Sequence, residues 1–370
     1  MQDLWNHRCA RRIRLTLALL LAVGIATVGS LPAHATSITF QQVNLVSDVP
    51  GLALHTDPDL VNPWGISHSA TSPFWVSDNG TGVSTLYNGA GTKLALIVTI
   101  PPPEGSAPGT TATPTGQVFN GTADFVVSQA GISAPARFIF ATEDGTISGW
   151  NPTVNPTNAI LAVDNSGAEA VYKGLAIGAN AAGNFLYAAN FHAGTIDVFD
   201  KNFHQVLLAG SFTDPDIHTG FAPFNIQNLG GKLYVTYAKQ DADGEDDVAG
   251  PANGYVDVFD TNGTLLQRLA TRGRLNSPWG LAFAPPSFGA FAGDLLVGNF
   301  GDGRINVIDP VTGEFLDQLR DPNNRAITID GLWGLIVGNG SAGGDLDKVY
   351  FTAGPDDETH GLFGSLAPSQ

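Results

Sequence analysis

Residues 276–319 read NSPWGLAFAPPSFGAFAGDLLVGNFGDGRINVIDPVTGEFLDQL, and this stretch decides the fold. It holds four short apolar runs, at 280–284, 294–299, 304–309 and 314–319, each bounded by Gly, Pro, Asn or Asp. Runs this short do not make helices, and the residues between them supply turn geometry, so the stretch predicts four antiparallel strands. Its opening occurs again: PWGI at 63–66, PWGL at 278–281 and LWGL at 332–335. Trp279 and Trp333 are 54 residues apart, and Trp64 precedes Trp279 by 215, close to four such steps. The chain is therefore a repeat of a four-stranded unit.

Working outward, Trp64, Thr115, Lys173, Phe224, Trp279 and Trp333 stand at equivalent positions, with gaps of 51, 58, 51, 55 and 54 residues. Six copies follow, of which the second, around RFIFATEDGTISGWN (137–151), is the weakest. The sixth lacks a last strand because the chain ends soon after GLFGSLAP. QQVNLVSDVPG (41–51) precedes NPWG much as LLQRLATRG (265–273) precedes SPWG, so the amino-terminal strand is expected to complete the last sheet. A closed radial array leaves only short, protected edges. The expected fold is all-β, a six-bladed β-propeller of four-stranded antiparallel blades closed by the N-terminal strand, in one domain over residues 36–370. A seven-bladed ring or a pair of β-sandwiches is the competitor.

The first 35 residues differ from the rest. Arg8, Arg11, Arg12 and Arg14 precede an apolar run at 15–28, and Ala33-His34-Ala35 supplies small residues for cleavage. This pattern predicts a signal peptide cut after Ala35, and the apolar run is shorter than the ~20 residues that span a bilayer. A secreted or periplasmic location is expected, with no membrane insertion after cleavage. Cys9, the only cysteine, lies in the removed segment, so no disulfide is available in the mature chain. The whole chain has a formal charge of −17, and removing four Arg and one Asp with the leader takes it to −20. Such a surface argues against nucleic acid or anionic membrane as partners and favours cations. A small-molecule or protein ligand and a monomeric chain are the expectations.

NLVSDVPG, NPWGI, FWVSDNGTG, NSPWGLAFAP, GNFGDGRINVID and FTAGPDDETHGLFG together resemble a family of exported bacterial β-propeller proteins of uncharacterised function. The blades are also similar to NHL and gluconolactonase-like six-bladed propellers. The resemblance spans residues 40–368 and implies a fold and a compartment without implying an activity. Members of the family often end in a Pro-Glu-Pro sorting tail, which the motif at Pro368-Ser369-Gln370 does not match. The gluconolactonase-like resemblance implies a central metal that polarises a lactone carbonyl.

In a propeller, the loop leading into each innermost strand and the loop between the second and third strands share one rim. Asn62, Trp64, His192, Trp279, Asp330, Trp333 and His360 are the candidate ligand-binding residues there. Asp78, Glu143, Asn190, Asn299, Asp302, Asp356 and Glu358 are candidate metal ligands, because a hard cation such as calcium takes six to eight oxygens. Hairpin turns compete for the same residues, since Asn-Gly and Asp-Gly are ordinary turn formers. The three tryptophans are explained first by packing between blades, and second as rim platforms for sugar rings. The acidic insertion DADGEDD (241–247) lacks the closing Glu of a calcium loop and reads as a solvated loop.

Zinc, nucleophile-elbow and phosphate-loop motifs are missing. GNGSAG (338–343) matches a dinucleotide glycine pattern but leads into a strand, so no helix amino terminus is there to hold a pyrophosphate. Two function classes remain: a non-catalytic ligand- or protein-binding propeller with calcium as its candidate ion, and a metal-dependent hydrolase of the lactonase type.

Overall fold

In the fifth copy the four apolar runs become strands Pro278–Phe283, Leu295–Asn299, Ile305–Ile308 and Phe315–Gln318, paired antiparallel in sequence order. The same meander recurs around the ring. Its innermost strands are Pro63–Ser67, Pro114–Phe119, Tyr172–Asn180, Phe221–Leu229, Pro278–Phe283 and Leu332–Val337. The structure, a computed structural model, describes residues 38–369, and these form a six-bladed β-propeller with two short 3-10 turns as its helical content. The leader expected at 1–35 lies outside the described residues.

Closure occurs as the repeat pattern predicts. Strand Phe40–Ser47 pairs antiparallel with Leu362–Pro368, from Phe40 opposite Pro368 to Ser47 opposite Leu362. The first and last segments thus share one blade, and each backbone edge satisfies the other. Blade 2 carries an extra hairpin, Val126–Gln129 and Ile132–Pro135, between its first and second strands, which explains why that repeat is the hardest to see.

Between each pair of neighbouring blades lies a separate hydrophobic cluster, and a seventh lies on the axis. The alternation of each strand produces this arrangement, because both faces of a blade are covered by its neighbours. The burial of Phe74–Asp78, Phe138–Thr142 and Leu295–Asn299 at every position shows it.

One local device repeats in all six blades. The pairing of the innermost strand with its neighbour slips at Pro63/Ile66, Phe140/Thr142, Tyr172/Leu175, Pro223/Asn225, Pro278/Gly280 and Leu332/Leu335. Each slip falls at the aligned position of the repeat, and a bulge there redirects a side chain out of the pleat. Four of the six redirected residues, Trp64, Phe224, Trp279 and Trp333, form the axial cluster with Phe191. A glycine follows at five of the six positions. At Gly280 a Cβ would lie 2.6 Å from the Trp333 carbonyl, so the neighbouring strand approaches too closely for any side chain.

Candidate functional site

The axial cluster plugs the ring. Trp333, 1% exposed, stacks on Trp64 at 3.5 Å between centroids and on Phe300 at 4.0 Å, with Trp279 set edge-on to both tryptophans. Lys173 occupies the same repeat position in blade 3. It is 1% exposed, and its ammonium lies 5.0 Å from the Trp64 ring and 5.7 Å from Phe191. Thr115, the blade 2 equivalent, donates to the Tyr172 carbonyl at 2.7 Å and ties the two inner strands together.

Above the plug, side chains from five blades form one network. Lys173 Nζ donates to Glu143 Oε1 and lies 3.3 Å from Asp246 Oδ1. Asn79 Nδ2 donates to Glu143 Oε2 at 2.8 Å. Asn62 Nδ2 donates to Glu358 Oε2 at 2.6 Å and lies 3.4 Å from Asn79 Oδ1, while Asn62 Oδ1 accepts from Trp333 Nε1 at 3.0 Å. A buried ammonium facing an aromatic ring and two carboxylates is satisfied by both attractions.

The charges are unevenly matched. Burial alone would lower the Lys173 pKa, yet Glu143 and Asp246 outweigh it and hold the ammonium above its ordinary value. Burial pushes Glu358 up to about 7, with Glu143 and Asp246 adding to the rise and Asn62 and Lys173 opposing it. Burial likewise raises Asp247, next to Asp246, to about 6. Four carboxyl groups therefore surround one cation, and two of them hold protons into the neutral range. Glu358 reaches this place through a strained turn: Asp356, Asp357 and Glu358 have φ of 56°, 49° and 63°, left-handed values that cost non-glycine residues energy.

The other expected residues take different positions. Asp78 is buried in blade 1 and accepts from the backbone and hydroxyl of Thr85 at 3.0 and 2.7 Å; burial lifts its carboxyl well above the ordinary range. Asn190 caps its own turn, accepting from Ala193 N at 3.2 Å and donating to Asp197 at 3.0 Å. Asn299 donates to the Arg274 carbonyl and to Asp302, which also accepts from Arg304 N. Asp330 accepts from the Asp356 backbone at 3.0 Å, and the Asp356 side chain is 82% exposed. His360 pairs with Asp48 at 2.7 Å, and that hydrogen bond raises its pKa. His192 lies 3.9 Å from Glu169.

Of the seven expected metal ligands, only Glu143 and Glu358 share the network. Among the described residues, no group of three His, Cys, Asp or Glu side chains is arranged to hold a metal ion. An ammonium stands between Glu143 and Asp246 instead. The tryptophans are core, with Trp64, Trp279 and Trp333 at 2%, 4% and 1% exposure, so they offer no open platform for a sugar ring on the rim.

The acidic insertion is also more than a solvated loop. It folds back through Asp241 N to the Asp246 carbonyl at 2.8 Å, which brings Asp246 against Lys173. Lys173 is the residue missed from sequence; Asn79 stands among the polar residues of the rim loops, and Asp246 and Asp247 belong to the insertion read as a solvated loop. Lys173 was findable, because it interrupts a column of otherwise aromatic or hydroxyl residues in the aligned repeat.

No family model matches the chain. Three solved structures share its fold: a glucose dehydrogenase (12% identity, TM-score 0.53, covering 90% of this chain and 100% of that one), the calcium-binding protein regucalcin from Agrobacterium tumefaciens (11%, 0.50, 84% and 91%) and a streptogramin B lyase (12%, 0.50, 90% and 98%). At such identities the likeness concerns fold alone. Two proteins of Acanthamoeba polyphaga mimivirus are similar in sequence. "Uncharacterized protein R648" is 34% identical over 342 residues, covering 90% of this chain and 82% of the relative. "Uncharacterized protein L690" is 37% identical over 336 residues, covering 88% and 85%. With at least a third of residues identical over most of both lengths, the chain belongs to the same family as these two mimivirus proteins.

Proposed function

We propose that the chain is an exported, non-catalytic binding propeller whose small-molecule or protein ligand presents a cationic group to the axial rim. The observation that carries this reading is the charge imbalance around Lys173: Glu143, Asp246, Asp247 and Glu358 gather about one ammonium. Asp246 is 77% exposed there and offers a carboxylate to solvent. A bound cation would offset the repulsion among these groups and draw Glu358 into its ionised form. Export is supported by the arginine-then-apolar leader and rests on sequence.

Calcium is the competing ligand, suggested by the fold shared with regucalcin. It must contend with Lys173, whose ammonium already stands between two of the carboxylates. The lactonase reading depends on that ion and falls with it.

The test is thermal unfolding of the exported chain, whose amino terminus is expected at Thr36, titrated with cadaverine in one arm and calcium chloride in the other. A ligand that binds only the folded state raises the midpoint with concentration. A rise with cadaverine that Asp246→Asn removes supports the proposal. A rise with calcium alone would transfer the site to the metal reading, and no rise in either arm would sink the rim as a cation site.

A further inference from the structure

A strap at 207–220 joins blade 3 to blade 4 and contributes Leu208, Phe212 and Ile217 to the apolar cluster between them. Near its start, Gly210 N and Phe212 N donate to the carbonyls of Asn262 and Gly263 at 2.9 and 3.0 Å; at its end, the Gly220 carbonyl accepts from Gln240 N at 2.9 Å. Among the described residues, the backbone from 213 to 219 bonds only to its own neighbours in sequence. Side chains at every second position hold it instead. Asp214 accepts from Arg268 Nε at 2.6 Å and from Nη2, and Asp216 lies 3.3 Å from the same Nη2. His218 Nδ1 lies 2.6 Å from Tyr255 Oη and 3.2 Å from Arg272 Nη1.

Asp257 stands under this clamp. It is opposite Arg268 in the strand pairing and 0% exposed, and neither of its oxygens nor the nearby Tyr237 hydroxyl has a hydrogen-bond partner. We propose that the strap is a pH-released clasp, closed over blade 4 while Asp257 is protonated, and that ionisation of Asp257 frees it and loosens the root of the acidic insertion at Gln240.

Three observations carry the proposal. The first is the setting of the carboxyl. An ionised Asp257 would be buried without a donor, beside an Arg268 already committed to Asp214 by two bonds. Burial, and then the charge of Asp214, accordingly push Asp257 up to about 7 against the pull of Arg268. Burial would raise Asp214 as well, but the bonds from Arg268 hold it below its ordinary value, so the shared proton belongs on Asp257. The second is the surroundings. Asp214 and Asp216 face Asp257 from the strap, Arg268 from the outer strand and Tyr237 from the second strand, while blade 3 presents the apolar Ile196 and Val198. The third is stored strain: the strap turns through Ser211 and Phe212, both at φ 51°, a left-handed value that release would relieve.

Opening admits water and returns Asp257 to its ordinary 3.8. The closed strap therefore binds the proton more tightly, and the stability this gives is full below about 4, falls as pH rises to about 7 and is level above. His218 acts in the opposite direction, since an imidazolium would repel Arg272 in acid.

The test is amide hydrogen exchange of the full chain at pH 5 and pH 7.5, corrected for intrinsic rates and read at Phe212, Asp216, Ile217 and Gln240. This readout is independent of any ligand on the rim. Opening should be on the order of fiftyfold greater at pH 7.5 than at pH 5. Asp257→Asn, which keeps the shape without the charge, should stay closed at both, Asp214→Ala should open at both, and His218→Gln should keep the rise. Exchange level between the two pH values, a rise that survives Asp257→Asn or vanishes in His218→Gln, or a strap still protected in Asp214→Ala would each overturn the clasp. A Gln240 amide that stays protected while the strap exchanges would overturn its reach to the rim.

Discussion

The two ends of the axis are built on the same six strands and differ completely in charge. The rim gathers three carboxyl groups and a lysine into one network with Asp247 beside it, while the walls of the cavity at the opposite end carry no Asp, Glu, Lys or Arg. Loops explain the contrast. The rim is fed by the turns between second and third strands, among them the long excursion between Lys232–Lys239 and Tyr255–Phe259 and the strained turn at 356–358. The far cavity is walled by the strands themselves, whose inward positions are set by repeat packing. A propeller can thus vary one face through loops without disturbing the other, provided that the plug between them stays intact.

The plug is where this comparison breaks most severely. Trp333→Ala removes a side chain stacked on two aromatics and leaves Asn62 Oδ1 without its donor. We expect a loss of about 5 kcal/mol in chemical denaturation, and loss of cation binding on the rim as well. A variant that keeps rim binding would show the two ends to be independent of the plug.

The next effect is confined to the rim. Lys173→Met keeps the length and apolar stem but leaves the half-buried Glu143 and the exposed Asp246 without their cation, which should cost about 3 kcal/mol, or roughly 8 °C in midpoint, at pH 7.5. The deficit should shrink near pH 5, where Glu358 and Asp247, raised by burial to about 7 and about 6, take up protons. A deficit that does not change with pH would mean that Lys173 acts by packing over Trp64 rather than by charge.

The smallest effect tests Glu358. Its folded pKa, about 7, is raised above the ordinary 4.5, so the folded state binds the proton more tightly than the unfolded one. Stability contributed by that proton is present below about 4.5 and declines as pH rises to about 7. Glu358→Gln removes the decline, and the variant should exceed the parent by ~2 kcal/mol at pH 8 and match it near pH 4. Parallel stability curves for the two chains between pH 4 and 8 would refute the assignment. Above pH 7 a bound cation should do for the parent what the substitution does for the variant.

Much of the frame was legible in the sequence because repetition averages out local ambiguity. Any single Trp-Gly opening is weak, but three at related spacings locate six inner strands, and all six aligned positions prove to be bulged. The candidate site was legible only in part. Asn62, Glu143 and Glu358 are in the network, whereas Asn190, Asn299 and Asp302 cap their own turns. In sequence both groups look alike, as polar residues beside glycine between strands. Whether such a residue caps or converges depends on turn direction, and no local pattern encodes that.

By itself, the sequence determined the number of blades, the closure by the amino-terminal strand and the column of six equivalent residues, because strand periodicity and repeat spacing are local, countable quantities. Only the tertiary structure decided that Lys173 lies over Trp64 between Glu143 and Asp246, and that the far side of the plug is uncharged. Glu143 and Asp246 are 103 positions apart. Their meeting at one ammonium follows from ring closure, which brings distant loops within a few ångströms and replaces water with protein around their charges.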